Sequence, residues 1–88
     1  MKTINKINKI NELCLQIQDK NLASVFTRYS GHVDAMYITL YPGKWVTDYP
    51  DKEIIFLEVY FLDGAELEFL KLVNYLQSIL LTGIIEKP

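Results

Sequence analysis

Two segments with helical periodicity bracket three segments with strand alternation, and the strands are apolar on both faces. A three-stranded sheet covered by helices on one side ordinarily shows water a polar second side. Here that second side is expected to carry Tyr37, Thr39, Tyr41, Ile54, Phe56 and Tyr60. The pattern therefore restricts the chain to a layered α+β fold and marks one sheet face as a contact surface. The 88 residues make one domain, which buries roughly 60–65% of the surface of its unfolded chain, so the core is modest.

The first helix is expected over residues 3–20. Ile7, Ile10, Cys14 and Ile17 recur at spacings of three and four, with Leu13 beside them, which is one apolar stripe. Thr3 has the hydroxyl of an N-cap, and Lys2, Asn5, Lys6, Lys9 and Gln16 are assigned to the solvent side. Lys20-Asn21 breaks the period. Strand one is expected at 22–29, followed by a Ser30-Gly31-His32 turn in which Gly31 is free to take positive φ. Strand two, Val33–Tyr41, alternates most clearly: Asp34, Met36, Ile38 and Leu40 against Val33, Ala35, Tyr37, Thr39 and Tyr41. Pro42-Gly43 stops it.

An irregular stretch over 42–52 holds Trp45 and Tyr49. These rings either fold back over an edge of the core or extend the aromatic sheet face. Strand three is expected at Glu53–Leu62, with Ile55, Leu57, Val59 and Phe61 opposite Ile54, Phe56, Glu58 and Tyr60. Asp63 and Glu66 have capping-box spacing. The second helix is expected from Gly64 or Ala65 to about Leu81, with Phe69, Leu72, Val73, Leu76, Ile79 and Leu80 as its stripe and Thr82-Gly83 as its stop. Short connections make the strands a meander. Both helices then cover one face of a three-stranded antiparallel sheet in an α-β-β-β-α two-layer sandwich.

Composition excludes several function classes. A net charge of −2 favours neither nucleic acid nor an anionic membrane. One cysteine, Cys14, leaves no internal disulfide to form and points to a reducing compartment. It falls on the apolar stripe and reads as a small core residue. The N-terminal residues alternate Ile with Lys and Asn, unlike a secretory leader, and no apolar run approaches the ~18 residues of a membrane span. A cytoplasmic protein is the expectation.

No catalytic, cofactor or metal motif stands out. One His and one Cys do not make a zinc site, the acids of 48–58 lack calcium-loop spacing, and no glycine loop is built to hold phosphate. No small-molecule substrate is evident. Ser30, His32 and Asp34 lie within five residues, but a triad is a spatial constellation and a tight turn reads more simply as polar turn chemistry. Residues 44–68 carry seven acids against two bases, a net of −5, while residues 1–43 carry a net of +2. The acidic stretch reads as a solvated rim, or as a mimic of nucleic acid offered to a basic protein.

The element order resembles that of double-stranded-RNA-binding domains. Those need cations at the start of the second helix, where this chain places Asp63, Glu66 and Glu68, so RNA binding does not carry over. The stretch Phe26-Thr27-Arg28-Tyr29-Ser30-Gly31-His32-Val33-Asp34, with the later Tyr41-Pro42-Gly43-Lys44-Trp45, resembles small phage- and prophage-encoded proteins in which a Ser-Gly-His-Val strand turn and a Gly–Trp segment recur. The resemblance covers residues 25–45. It implies a phage or prophage origin and an accessory role, and supplies no site residues.

The expectation is a non-enzymatic interaction module. It self-associates as a homodimer, or binds a protein, through Tyr37, Tyr41, Phe56 and Tyr60, with Tyr29 and Trp45 at the edge. The alternatives are an acidic nucleic-acid mimic that inhibits a basic protein and a small hydrolase that uses His32.

Overall fold

A computed structural model describes residues 2–62 and 65–88. Helix α1 spans Thr3–Asp19, strands β1, β2 and β3 span Ala23–Ser30, Ala35–Pro42 and Ile55–Tyr60, and helix α2 spans Glu66–Thr82. The strands form one antiparallel sheet in the order β1-β2-β3. The stripes of both helices pack against one face of it, which is the two-layer arrangement the periodicity implies.

That inner layer is where burial stabilises the chain. Met36, Ile38 and Leu40 of β2 join Ile55 and Val59 of β3 beneath Ile10, Leu13, Cys14 and Ile17 of α1 and Phe69, Leu72, Val73, Leu76 and Ile79 of α2. Each large aliphatic or aromatic side chain removed from water in this way contributes about 1.5–3 kcal/mol.

The ends of the elements differ in places from the sequence expectation, each for a local reason. Thr3 is the first helical residue of α1 rather than its cap, and the cap position, Lys2, offers no side-chain hydrogen bond. In the β1–β2 turn the left-handed residue is Asp34, at φ 50, and Gly31 keeps negative φ. Asp34 tolerates that conformation because a short polar side chain can bond locally, and its carboxylate accepts a 2.6 Å hydrogen bond from the Tyr29 hydroxyl. Val33 and Asp34 therefore belong to the turn, and β2 starts at Ala35. Ahead of β3, Asp51–Glu53 form a single 3-10 turn, so Glu53, expected to open the strand, belongs to that turn and β3 starts at Ile55. The Asp63 half of the proposed capping box, like Gly64, lies outside the described residues.

The Lys20-Asn21 break is a helix stop of defined geometry. Asn21 takes φ 58, its N–H donates to the Gln18 carbonyl, and the Leu22 N–H donates to the Ile17 carbonyl. These are the paired bonds of a Schellman motif. At the other end of the fold Gly83, at φ 72, ends α2 as expected.

Lys6 is the largest departure. Its residue type places it on the solvent side, yet it is buried. Its ammonium pairs with the Glu66 carboxylate and sits 5.6 Å from the centroid of the Phe69 ring. Lys6 precedes Ile10 by four positions and Leu13 by seven, so it occupies the top of the apolar stripe and points at the first turn of α2. Only 10% of its side chain is exposed, against 53% for Glu66, so the carboxylate keeps one side in water while the alkyl stem of Lys6 is packed.

Two measurements test these features. Asn21→Ala keeps the β-carbon but removes the short polar side chain that makes the left-handed region tolerable, and is expected to lower unfolding stability by about 1 kcal/mol, while Asn21→Gly, with no β-carbon, leaves it unchanged or slightly raised; urea denaturation that ranks Ala equal to Gly overturns the assignment. The Lys6 ammonium, chiefly by its hydrogen bond, holds the Glu66 carboxyl below its ordinary range. A depressed acid contributes stability above its unfolded-state pKa and loses it as pH falls through the folded value. Glu66→Gln is therefore expected to lower Tm at neutral pH and to flatten the loss of Tm on acidification from about pH 7 to about pH 3. Parallel acid limbs for the two proteins refute the linkage.

Candidate interaction face

The outer face of the sheet is set by register. Because side chains alternate, cross-strand partners share a face. Pairing Ser24 with Tyr41, Phe26 with Thr39, Arg28 with Tyr37 and Ser30 with Ala35, and Thr39 with Phe56, Tyr37 with Glu58 and Ala35 with Tyr60, lays out four rows across the sheet on the side away from the helices. Two rows straddle the middle of β2. One reads Phe26, Thr39, Phe56, and the other reads Arg28, Tyr37, Glu58.

Three of the rings in these rows are largely wet. Phe56 is 72% exposed, Phe26 54% and Tyr60 41%. Between Tyr37, Thr39, Phe56 and Glu58 lies a shallow depression of about 350 Å³. Tyr37 is half-buried because the Arg28 guanidinium lies 4.8 Å from its ring centroid. On its other side the Glu58 charge, and after it Tyr37 itself, hold the Tyr60 hydroxyl above the usual tyrosine pKa. Among the described residues neither Arg28 nor Glu58 makes an ion pair within the chain.

The long loop completes the surface at one end. The Tyr41 ring meets Phe26 edge-on at 5.4 Å, Tyr49 at 5.1 Å and Trp45 at 6.5 Å. The loop is tied down by the Tyr49 hydroxyl, which donates to the Pro42 carbonyl at 2.6 Å, and by the Trp45 N–H, which donates to the Ser24 hydroxyl at 3.0 Å. Burial, followed by the Glu53 charge, raises the Tyr49 pKa. Of the two placements open for Trp45 and Tyr49, the rings take the second: they extend the aromatic sheet face, and Trp45 stays 45% exposed.

The sequence-predicted contact residues thus separate. Tyr37, Tyr41, Phe56 and Tyr60 lie on one surface with Trp45 at its end. Tyr29 does not belong to it. Its register partner is Met36, so it projects on the helix side, 6.2 Å from the Phe61 ring, with its hydroxyl raised in pKa chiefly by the bond to Asp34. Ile54 is half-buried just ahead of β3. Phe26 and Arg28 of β1 also lie on this surface, in the rows of Phe56 and Glu58, and sequence reasoning did not place them there. Val25, Phe26, Thr27, Arg28 and Tyr29 show no alternation of polarity, and only the pairing with β2 assigns Phe26 and Arg28 to this face.

Other candidate chemistry is not assembled. Asp34 accepts from Tyr29 rather than orienting His32, and His32 stands exposed in its turn. Among the described residues no three of His, Cys, Asp and Glu group to hold a metal ion, and no helix is long and apolar enough to cross a membrane. The acids do not act as one block: Glu66 is paired with Lys6, Glu58 lies on the sheet, and Asp48, Asp51 and Glu53 lie in the loop. Compared with models of known protein families, with curated proteins and with solved structures, the chain matches none.

Cys14 is a core group, and its chemistry follows from burial. Desolvation pushes its thiol from 9.0 up to about 12. The neutral form is favoured in the folded chain, so its contribution is full below the unfolded-state pKa and is lost as pH rises from about 9 toward about 12. The stability difference between the natural protein and Cys14→Ala is expected to shrink over that range, and the native thiol is expected to resist an aromatic disulfide reagent at about pH 8 until denaturant is added. Rapid modification of the folded protein contradicts the burial argument.

Proposed function

We propose that this protein is a non-enzymatic interaction module that binds a protein surface through the outer face of its sheet. One observation carries the reading: Phe26 and Phe56 flank Thr39 in a single row, both more than half exposed, and the loop rings lengthen that apolar strip instead of covering it. Two-sided apolar sheets bury the second face against another layer, and contiguous exposed aromatic area on a small domain marks a contact site. Tyrosine suits such a site because its ring packs while its hydroxyl remains solvated when the face is free. The resemblance of residues 25–45 to small phage- and prophage-encoded proteins supports an accessory role in the cytoplasm of a host cell.

Tyr37→Glu combined with Phe56→Glu places two charges in the centre of the face without touching the core. Circular dichroism is expected to show an unchanged fold. Association is expected to be lost, whether it is with a second copy by light scattering or with another protein by affinity capture. A folded double variant that associates as the natural protein does rejects this face.

A further inference from the structure

We infer that the sheet face takes a second copy of this chain, about a two-fold axis running along β2; the inference rests on the proposed role of that face and names its partner. Charge complementarity within one row sets the axis. In the row Arg28, Tyr37, Glu58 a cation stands on one edge strand and an anion on the other, two strand spacings or about 9.6 Å apart, with no ion pair to each other among the described residues. A two-fold along the central strand lays β1 of each copy over β3 of the other and leaves each row facing its own copy. Arg28 of one copy then meets Glu58 of the second, twice per dimer. Sheets pack about 10 Å apart face to face, a gap that an arginine and a glutamate reaching toward each other can span.

The apolar row fits the same operation. Phe26 of each copy lies over the shallow depression between Tyr37, Thr39, Phe56 and Glu58 of the other, while Thr39, the smallest side chain of that row, and Tyr37 of the next row sit along the axis. An axis perpendicular to β2 does the reverse: it stacks β1 on β1, setting Arg28 against Arg28 or against Phe26, so the charges either repel or are buried unpaired. The two central rows are also where the twist of aligned sheets displaces partners least. Three strands of eight residues or fewer give a platform of roughly 400 Å² before side-chain relief, which places the interface at the small end of specific contacts, so the dimer dissociates on dilution.

Light scattering over a concentration series tests this. The natural protein is expected to move from 10.2 kDa toward twice that mass. Arg28→Glu leaves Glu facing Glu and Glu58→Arg leaves Arg facing Arg, so each alone is expected to dimerise at least about tenfold more weakly. Mixed in equal amounts, the two variants present opposite charges at both contacts and are expected to regain the doubled mass, as is the chain carrying both substitutions. Both positions are exposed, and circular dichroism checks that each variant folds. Single variants that dimerise like the natural protein, or a mixture that stays monomeric, overturn the axis; if Tyr37→Glu with Phe56→Glu still disrupts the dimer, the face itself stands. A natural protein that is monomeric throughout overturns the second copy as partner, and leaves the face to be judged by affinity capture of another protein.

Discussion

The register of β2 against its two neighbours decides where nearly every sheet side chain goes. With Ile38 opposite Thr27 and Leu57, the aliphatic residues of β2 and β3 fall under the helices and the aromatic residues fall away from them. A slip of one residue would exchange the faces. It would place Tyr37 and Phe56 in a core shaped for Ile38 and Leu40 and expose those two instead. The sheet is apolar on both sides, yet its register is still strongly specified, because the two faces differ in shape and in hydroxyls even where they match in hydrophobicity. The helix stripes supply branched aliphatics that pack against Met36, Ile38 and Leu40, and a layer of tyrosines would leave several hydroxyls without partners there.

The helices are aligned on that layer by an interaction of a different kind. Lys6 is the one buried charged residue among those described, and it bridges the first turn of α1 to the first turn of α2 through Glu66 and Phe69. A lysine so placed contributes little net energy over an apolar residue of its size, because dehydrating the ammonium offsets the attraction. Its effect is directional: an ammonium must find a carboxylate, whereas a methyl group accepts any apolar neighbour. The pairing thus sets how the N-terminal ends of the helices meet, while the stripes beneath set how closely they pack.

Much of this was legible in the sequence, and the parts that were not share a cause. The five elements, their order and the meander followed from periodicity and turn residues. Ends were displaced by a few residues where local polar chemistry competes with the strand: Asp34 takes the left-handed position that Gly31 was expected to take because Tyr29 can bond its carboxylate. Lys6 was misassigned because residue type was allowed to outweigh position on the stripe. Phe26 was overlooked because β1 has no clean alternation of polarity; Val25, Phe26 and Tyr29 span both faces, and only pairing with β2 sorts them. Tyr41, Trp45 and Tyr49 come together through a loop closed by the Tyr49 hydroxyl and the Ser24 side chain, contacts that no local spacing announces.

The treatment of the sheet edges bears on the proposed association. A three-stranded sheet has two open edges, and unpaired strand edges invite another strand. Here α1 shields one of them: the Gln18 side-chain oxygen accepts from the Val25 N–H at 3.2 Å, and the Thr27 hydroxyl donates to Asn11 at 3.2 Å. The first bond takes up one backbone donor that an added strand would seek on β1, and the second lays a helix side chain against the Thr27 side chain at the same edge. The opposite edge strand, β3, has only six residues, too few for a long ladder. Association by strand addition is therefore disfavoured at β1 and limited at β3, while the face between them keeps its aromatic rings exposed. A fold that guards an edge and leaves a face open supports the proposed packing of layer on layer, in which specificity would come from which side chains meet across the gap and not from backbone pairing that any extended chain can satisfy.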